Sequence, residues 1–98
     1  MITISHNKVK ILHLYEHKGR AYIMNQSYEI AFGKNIRNLR KKKKLTQEQL
    51  SAQLQTRGCD ITRSALAKIE VGQRHLYPDE IRLLKELLGT SFEELFYF

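Results

Sequence analysis

Residues 45–74, LTQEQLSAQLQTRGCDITRSALAKIEVGQR, constrain what this chain can fold into more than any other stretch. Their apolar side chains recur at helical spacing twice, over residues 46–54 and over residues 62–71, with a glycine-containing connection between. Gly72 follows the second pattern and is the residue type that ends a helix in the left-handed conformation. Neither short helix can bury an apolar stripe by itself. The sequence therefore predicts two short helices that pack on a third and leave one face of the second exposed.

The exposed face of that second helix is predicted to be cationic. Leu66 and Ile69 lie on the side that packs inward. The opposite side holds arginine, lysine and small side chains and no carboxylate: Arg63, Ser64, Ala65 and Lys68. A helix face of this composition suits the groove of a nucleic acid duplex.

The positive charge of the chain is concentrated on the same stretch. The 98 residues have a formal net charge of +7. Residues 34–74 contain eleven basic and three acidic side chains, a net charge of +8, whereas residues 75–98 have a net charge of −3. This coincidence predicts a polyanion-binding surface, the alternative being a solvated basic surface without a ligand. With 42% hydrophobic residues the chain can bury one modest core, so we expect one helical domain with some appended structure.

Other classes of function find little support in the composition. Cys59 is the single cysteine, and no apolar run approaches the ~18 residues of a membrane span, so we expect a cytoplasmic protein without a membrane partner. His13 and His17 have metal-ligand spacing only on a helix and lack a third ligand, so we expect no metal site and no other cofactor. No nucleophile with a neighbouring base is evident, so an enzyme is not expected.

Residues 1–31 differ in pattern from the rest and are predicted to form an N-terminal extension to a domain over residues 32–98. They are rich in β-branched and aromatic side chains and lack a sustained helical period. Residues 9–15 and residues 21–24 are candidate strands of a β-hairpin, joined by a glycine-containing loop over residues 16–19. Such a hairpin would need to pack on the helical body or on a second chain, as a dimerisation arm.

Three further helices are predicted around the two-helix unit. The first spans residues 31–44 and presents apolar side chains at i, i+4 and i+7. The fourth spans residues 78–88, where a proline suits the first turn and a glycine follows the last. The fifth covers residues 91–97, with Ser91 and Glu94 in the arrangement of a capping box.

The two ends of this helical body suggest further contacts. Lys43 and Lys44 close the first helix within a run of four lysines, and we expect them to reach a DNA phosphate. The C-terminal side chains either close the core or form a dimer interface. We expect the interface, because the last four residues are too apolar to remain exposed together: Leu95, Phe96, Tyr97 and Phe98.

In order along the chain, the motifs IRNLR, LTQEQLSAQL, ITRSALAKIEVGQR, PDEIRLLKELLG and SFEELF resemble the lambda repressor/Cro-type (Xre-like) helix-turn-helix family. The resemblance covers residues 35–96, about two-thirds of the chain. It implies an all-α, five-helix lambda-repressor-like DNA-binding domain in which the helix over residues 62–71 enters the major groove. It does not identify the operator.

The resemblance also implies roles for individual residues. Gln47 matches a residue that donates to a DNA phosphate and braces the recognition helix, and Thr62 matches a phosphate-contacting cap. Arg74, just after the recognition helix, matches a backbone contact. Arg40 and Glu70 match a structural ion pair that ties the first helix to the end of the third. The positions that match base contacts in the major groove are Arg63, Ser64 and Lys68, with Ala65 beside them for a thymine methyl.

The connection between the second and third helices departs from the family pattern. Residues 55–60 make it about five residues longer than the usual turn, as in a related subset of the family. Arg57 in this loop is a further candidate phosphate contact. The assignments beyond the loop hold only if Ile61 returns to the core.

The N-terminal extension has a second interpretation. Met24 opens MNQSYEIAFGKNIRNLR, which looks like the start of many compact helix-turn-helix proteins. Residues 18–20 can be encoded by a purine-rich run of the kind found upstream of bacterial start codons. On this interpretation residues 1–23 precede the natural start of the protein.

The combined expectation is a transcriptional regulator, more specifically a repressor, that reads an inverted-repeat operator in double-stranded DNA as a homodimer. The alternative is an antitoxin-like or other protein-binding module, with DNA binding secondary. Its main partner, such as a toxin or an anti-repressor, would dock on the apolar C-terminus or on the N-terminal extension.

Overall fold

The computed structural model describes residues 12–17 and 20–98, with side chains from Ser27 onward. The strands are β1 (Leu12–His17) and β2 (Arg20–Asn25), and the helices are α1 (Gln26–Lys42), α2 (Gln47–Thr56), α3 (Arg63–Glu70), α4 (Pro78–Leu88) and α5 (Phe92–Leu95). The predicted all-α body of five helices is confirmed. Among the described helices, none has the length and apolar character needed to cross a bilayer.

The two strands precede the helical body and pair antiparallel, from Leu12 opposite Asn25 to His17 opposite Arg20. Residues 9–11 of the first expected strand and residues 18 and 19 of the expected loop lie outside the described part of the chain. β2 passes directly into α1 without an intervening loop. The role of this pair as a dimerisation arm stays a prediction.

Helix α1 begins at Gln26, five residues before its expected start. The expected start follows the apolar stripe, which opens at Phe32, and so misses a more polar first turn that contains Glu29. This turn is tied to the loop after α3, where His75 Nδ1 lies 3.3 Å from Glu29 Oε2. α1 therefore crosses the expected boundary between the extension and the domain.

Helices α2 and α3 both start at threonine caps. Thr46 Oγ1 accepts a hydrogen bond from Gln49 N at 3.0 Å, and Gln49 Oε1 accepts one from Thr46 N at 2.9 Å. Thr62 Oγ1 accepts from Ala65 N at 3.1 Å. These bonds satisfy backbone donors that have no partner within the helix, and they fix where each helix begins.

The lengthened connection starts later than expected, because α2 continues through Thr56. Gly58 then turns the chain with a φ of +83°, a conformation that glycine adopts without steric cost. Ile61 is fully buried, and its carbonyl accepts from Ser51 Oγ at 2.8 Å. The chain has therefore returned to the core before α3 begins, as the downstream assignments require.

Helix α5 covers Phe92–Leu95 and is shorter than expected. Ser91 Oγ accepts from Glu94 N at 3.0 Å, whereas the Glu94 carboxylate is directed to the Thr90 hydroxyl at 2.8 Å. Leu95 is fully buried in the core, so the prediction that it forms part of a dimer interface is wrong. Asn35 Nδ2 donates to the Leu95 carbonyl at 2.6 Å, which holds α5 on α1.

A single core lies between the helices and is formed by Phe32, Ile36, Leu50, Leu54, Ile61, Leu66, Ile69, Leu76, Leu84, Leu88 and Leu95. Gly33 sets the distance between α1 and α3. A Cβ at this position would lie 2.2 Å from the Ile69 carbonyl oxygen, so only glycine permits the approach. The inward side of α3 is thus fixed against α1, and its other side is left to solvent.

Candidate nucleic-acid interface

The outward side of α3 is cationic. Arg63 and Ser64 occupy its first turn and are exposed, and Lys68 is exposed one turn later. The single carboxylate of the helix, Glu70, is 4% exposed and lies on the inner side. The face therefore combines two cations with a hydroxyl and presents no acidic group.

The two alanines of α3 have different surroundings, and Ala65 is the one expected beside the base contacts. Ala65 is half-buried and packs against the core, because rotation of about 100° per residue brings it beside Ile69. Its contact with a thymine methyl stays a prediction. Ala67 instead lines an open cleft together with Arg63. A helical wheel centred on the exposed residues Arg63, Ser64 and Lys68 would have placed Ala67 on the outward side of α3.

A buried ion pair holds the end of α3 against α1. Arg40 Nε lies 2.6 Å from Glu70 Oε2, and Arg40 Nη2 lies 3.0 Å from Glu70 Oε1. Arg40 Nη1 also donates to the Leu45 carbonyl at 2.7 Å. Gln47 Nε2 donates to Glu70 Oε1 at 3.0 Å. The network fixes the first turn of α2 relative to α3.

An open cleft of about 640 Å³ lies where α1, α2 and α3 meet. Thr46, Gln47 and Glu48 contribute to it from the start of α2, and Arg63 contributes from α3. The amide of Gln47 has a second N–H beyond the one bonded to Glu70, so it can still donate to a ligand in the cleft.

Arg37 is a further cation in this cleft, and the sequence pattern did not single it out. It is exposed on α1 and three residues before the buried Arg40. Arg37 and Arg40 lie one turn apart on α1, so composition alone does not predict which of them is exposed. Their positions relative to the buried stripe of α1 would have distinguished the exposed arginine from the buried one.

A helix-turn-helix family model matches residues 36–95. The chain belongs to the Cro/C1-type helix-turn-helix family. Comparison with curated proteins gave no match, and comparison with solved structures gave none either. Membership of the helix-turn-helix family implies DNA binding, and the matched residues include the whole of α2 and α3.

The candidate phosphate contacts have different surroundings in the helix-turn-helix domain. Thr62 and Lys44 are exposed. The Lys43 ammonium lies 2.8 Å from the point that a Cβ on Gly89 would occupy, at the C-terminal end of α4. A cation there complements the negative end of the α4 dipole. Lys43 is exposed and lines the groove at that end of α4, and its phosphate contact stays a prediction.

Arg74 is turned inward in the helix-turn-helix domain. It is 6% exposed, and its Nη2 lies 3.2 Å from Glu80 Oε2, which is also buried. Glu80 Oε1 further accepts from Tyr77 N at 2.9 Å. Arg74 therefore holds the loop between α3 and α4, and the prediction that it contacts the DNA backbone is wrong.

Arg57 also faces a carboxylate. Its Nη2 lies 2.9 Å from Glu86 Oε1, with both side chains about half exposed. The groove around it is lined by Asp60 and Asp79 as well. With Glu80 and Glu86, the groove is lined by four carboxylates, so the structure does not support Arg57 as a phosphate contact.

Beyond the matched residues, the C-terminal aromatic side chains lie over α1. The ring of Phe96 stacks on that of Phe32 at 4.9 Å, and the Phe98 ring meets the edge of Tyr28 at 5.2 Å. Phe96, Tyr97 and Phe98 are 42%, 84% and 49% exposed, respectively. We call Tyr28, Phe96, Tyr97 and Phe98 the aromatic patch.

The described residues of the domain include no group of three or more His, Cys, Asp or Glu side chains that could hold a metal ion. Cys59 is a partly buried thiol in the long connection, packed against the core.

Proposed function

We propose that the protein is a sequence-specific transcriptional regulator of double-stranded DNA whose α3 lies in the major groove. The observation that carries this proposal is the shared exposure of Arg63, Ser64 and Lys68 on a helix with no exposed carboxylate. Neither Arg63 nor Lys68 forms an ion pair with another described residue. Cations that form no ion pair within the described part of the chain are available to neutralise phosphates or to bind base edges.

The contacts divide into two kinds. Arg63 can donate two parallel N–H bonds to guanine O6 and N7, a contact worth ~1–3 kcal/mol of discrimination against another base. Ser64 and Lys68 would contact neighbouring base edges. Gln47 and Thr62 would donate to phosphates, which set the position of the helix and carry no sequence information themselves.

We further propose that the protein acts as a homodimer through the aromatic patch. Tyr97 is 84% exposed and Phe98 is 49% exposed beside it, and contiguous apolar surface of this kind marks association sites. A symmetric dimer places two recognition helices about one DNA turn apart, ~34 Å, and so requires an operator with inverted symmetry.

Repression is the regulatory outcome that needs the fewest surfaces. A protein bound to a promoter excludes other proteins from the same duplex, so the α3 face and the aromatic patch are sufficient. Activation would need an additional surface that contacts the transcription machinery. We therefore propose a repressor.

Selection of bound duplexes from a random DNA pool tests the proposed function. We expect an enriched inverted repeat whose half-sites are centred ~10 base pairs apart. If the dimer contacts roughly eight phosphates, the logarithm of the affinity should fall with the logarithm of salt concentration at a slope near −7. Recovery of no preferred sequence, or an affinity that does not change with salt, would contradict the proposal.

A further inference from the structure

Arg37 of α1 forms no ion pair with another described residue. It lines the cleft beside the outward face of α3. We infer that Arg37 holds a DNA phosphate in the cleft formed by α1, α2 and α3. This inference rests on the proposed function, because a phosphate enters the cleft only when α3 docks on a duplex.

The arginines of the domain fall into two groups. Three of the six described arginine side chains lie against a carboxylate: Arg40, Arg57 and Arg74. The other three form no ion pair with a described residue: Arg37, Arg63 and Arg82. Every inward or inter-helix role is thus taken by a paired arginine, and unpaired arginines remain for contacts outside the chain.

Two of the unpaired arginines line the same cleft. Arg37 approaches from α1 and Arg63 approaches from α3, whereas Arg82 lies on α4. Glu48 also lines the cleft, as do Arg40 and Glu70, which pair with each other. A phosphate in the cleft would therefore meet two arginines without a described ion-pair partner and one such carboxylate, a net positive site.

The position of Arg37 follows from the close approach of α1 and α3. It lies one helical turn after Gly33, whose Cα approaches the backbone of Ile69 and Glu70. The guanidinium therefore lies on the side of α1 that faces α3, near the C-terminal end of α3. Gln47 lines the same cleft and has an N–H to donate.

The chemistry of these donors selects a phosphodiester. A guanidinium presents parallel N–H groups that match two phosphate oxygens, and the Gln47 amide adds a third donor. A carboxylate ligand would also match the guanidinium. The continuity of the cleft with the α3 face favours the phosphate, because a duplex docked on α3 brings its backbone to this edge.

Two alternative roles for Arg37 are structural, and both predict an effect on stability that a phosphate contact does not. It could complement the negative end of the α3 dipole, in which case its removal would lower stability. It could instead pair with Glu48 across the cleft, in which case removal of either side chain would have the same effect on stability. A phosphate contact changes DNA affinity and its salt dependence without changing stability.

The test compares Arg37→Ala with Arg82→Ala, a matched control that removes an unpaired arginine from α4. Each is titrated with two fluorescent duplexes, the selected operator and a mixed-sequence duplex of equal length. We expect Arg37→Ala to weaken binding to both duplexes by the same factor, on the order of tenfold. The salt slope should become shallower by about 0.9 for each phosphate that the variant no longer neutralises.

The same titrations should leave Arg82→Ala unchanged, and Arg37→Lys should recover part of the salt slope. Glu48→Gln should tighten binding, because it removes a negative charge from the phosphate site. Arg37→Gln replaces Arg37→Ala if the alanine variant does not fold. Wild-type affinity in Arg37→Ala or in Arg37→Gln would overturn the inference. A loss of affinity in these variants that is matched by a loss of thermal stability would overturn it as well.

Substitution of single phosphates by neutral methylphosphonates identifies the contact directly. A methylphosphonate at one position in each half-site should weaken DNA binding by the wild type. The same substitution should not weaken DNA binding by Arg37→Ala any further. If the wild type binds neither duplex, the proposed function fails. If the wild type binds and only Arg63→Ala loses affinity, the inference about Arg37 fails alone.

Discussion

Gln47 Nε2 donates a hydrogen bond to Glu70 Oε1 at 3.0 Å, which joins the first turn of α2 to the last turn of α3. The bond joins the two helices across residues 57–62. The same carboxylate binds Arg40 of α1, so Glu70 ties α1, α2 and α3 together. The relation between the proposed phosphate contacts on α2 and the proposed base contacts on α3 should therefore depend on this buried acid.

Glu70→Gln should therefore destabilise the domain strongly. It leaves the buried Arg40 without a compensating charge, and breaking a buried pair in this way costs ~3–5 kcal/mol. The free energy of unfolding in urea measures the loss. Replacing both residues, as Arg40→Met with Glu70→Leu, should cost less than the single change. A single variant within ~1 kcal/mol of the wild type would contradict this account.

Gly33→Ala should destabilise the domain more than Gly58→Ala. The new methyl group at Gly33 would lie 2.2 Å from a backbone oxygen of α3, so the helices must separate at a cost of ~1–3 kcal/mol or more. At Gly58 nothing lies within 4 Å, and only the left-handed backbone is strained, at ~1–2 kcal/mol. Thermal unfolding of the two variants checks the order. Equal losses would mean that α1 and α3 are not closely packed at Gly33.

Arg74→Met should lower stability and leave the salt dependence of DNA binding unchanged. It removes the buried cation that pairs with Glu80, with an expected loss of ~3–5 kcal/mol in the unfolding free energy. Binding is compared at a temperature where the variant remains folded. A salt slope shallower by about 0.9 would instead restore Arg74 as a phosphate contact.

Tyr97→Glu should convert the proposed dimer to a monomer without lowering the stability of the protomer. Tyr97 is 84% exposed, so the new charge meets water in the monomer and an apolar surface in the dimer. Leu95→Ala serves as the contrast, because truncation of a fully buried leucine costs ~2–5 kcal/mol. Sedimentation equilibrium reports the association. A dimer that persists in Tyr97→Glu would place the interface elsewhere.

The helices of the body could be predicted because their signals are local. The caps at Thr46 and Thr62 and the left-handed Gly72 are each encoded within one turn of the chain, and all three occur in the structure. The return of Ile61 to the core could be anticipated because the pattern after the loop matches the family pattern in order.

Burial of charged and terminal side chains depends on distant partners and could not be predicted in the same way. Arg74 is buried because Glu80 lies across a loop and a helix start, a pairing that no periodicity reveals. The helix that contains Leu95 is four residues long, too short for its apolar positions to define a face.

The measurement that tests the central claim most directly is the ratio of affinities for the selected operator and a mixed-sequence duplex. We compare the wild type, the double variant Arg63→Ala with Lys68→Ala, and a control that also removes two exposed cations, Lys34→Ala with Arg82→Ala. We predict that the ratio falls toward one only in the α3 variant, with thermal stability unchanged. A ratio that stays at the wild-type value in that variant would show that α3 does not read the DNA sequence.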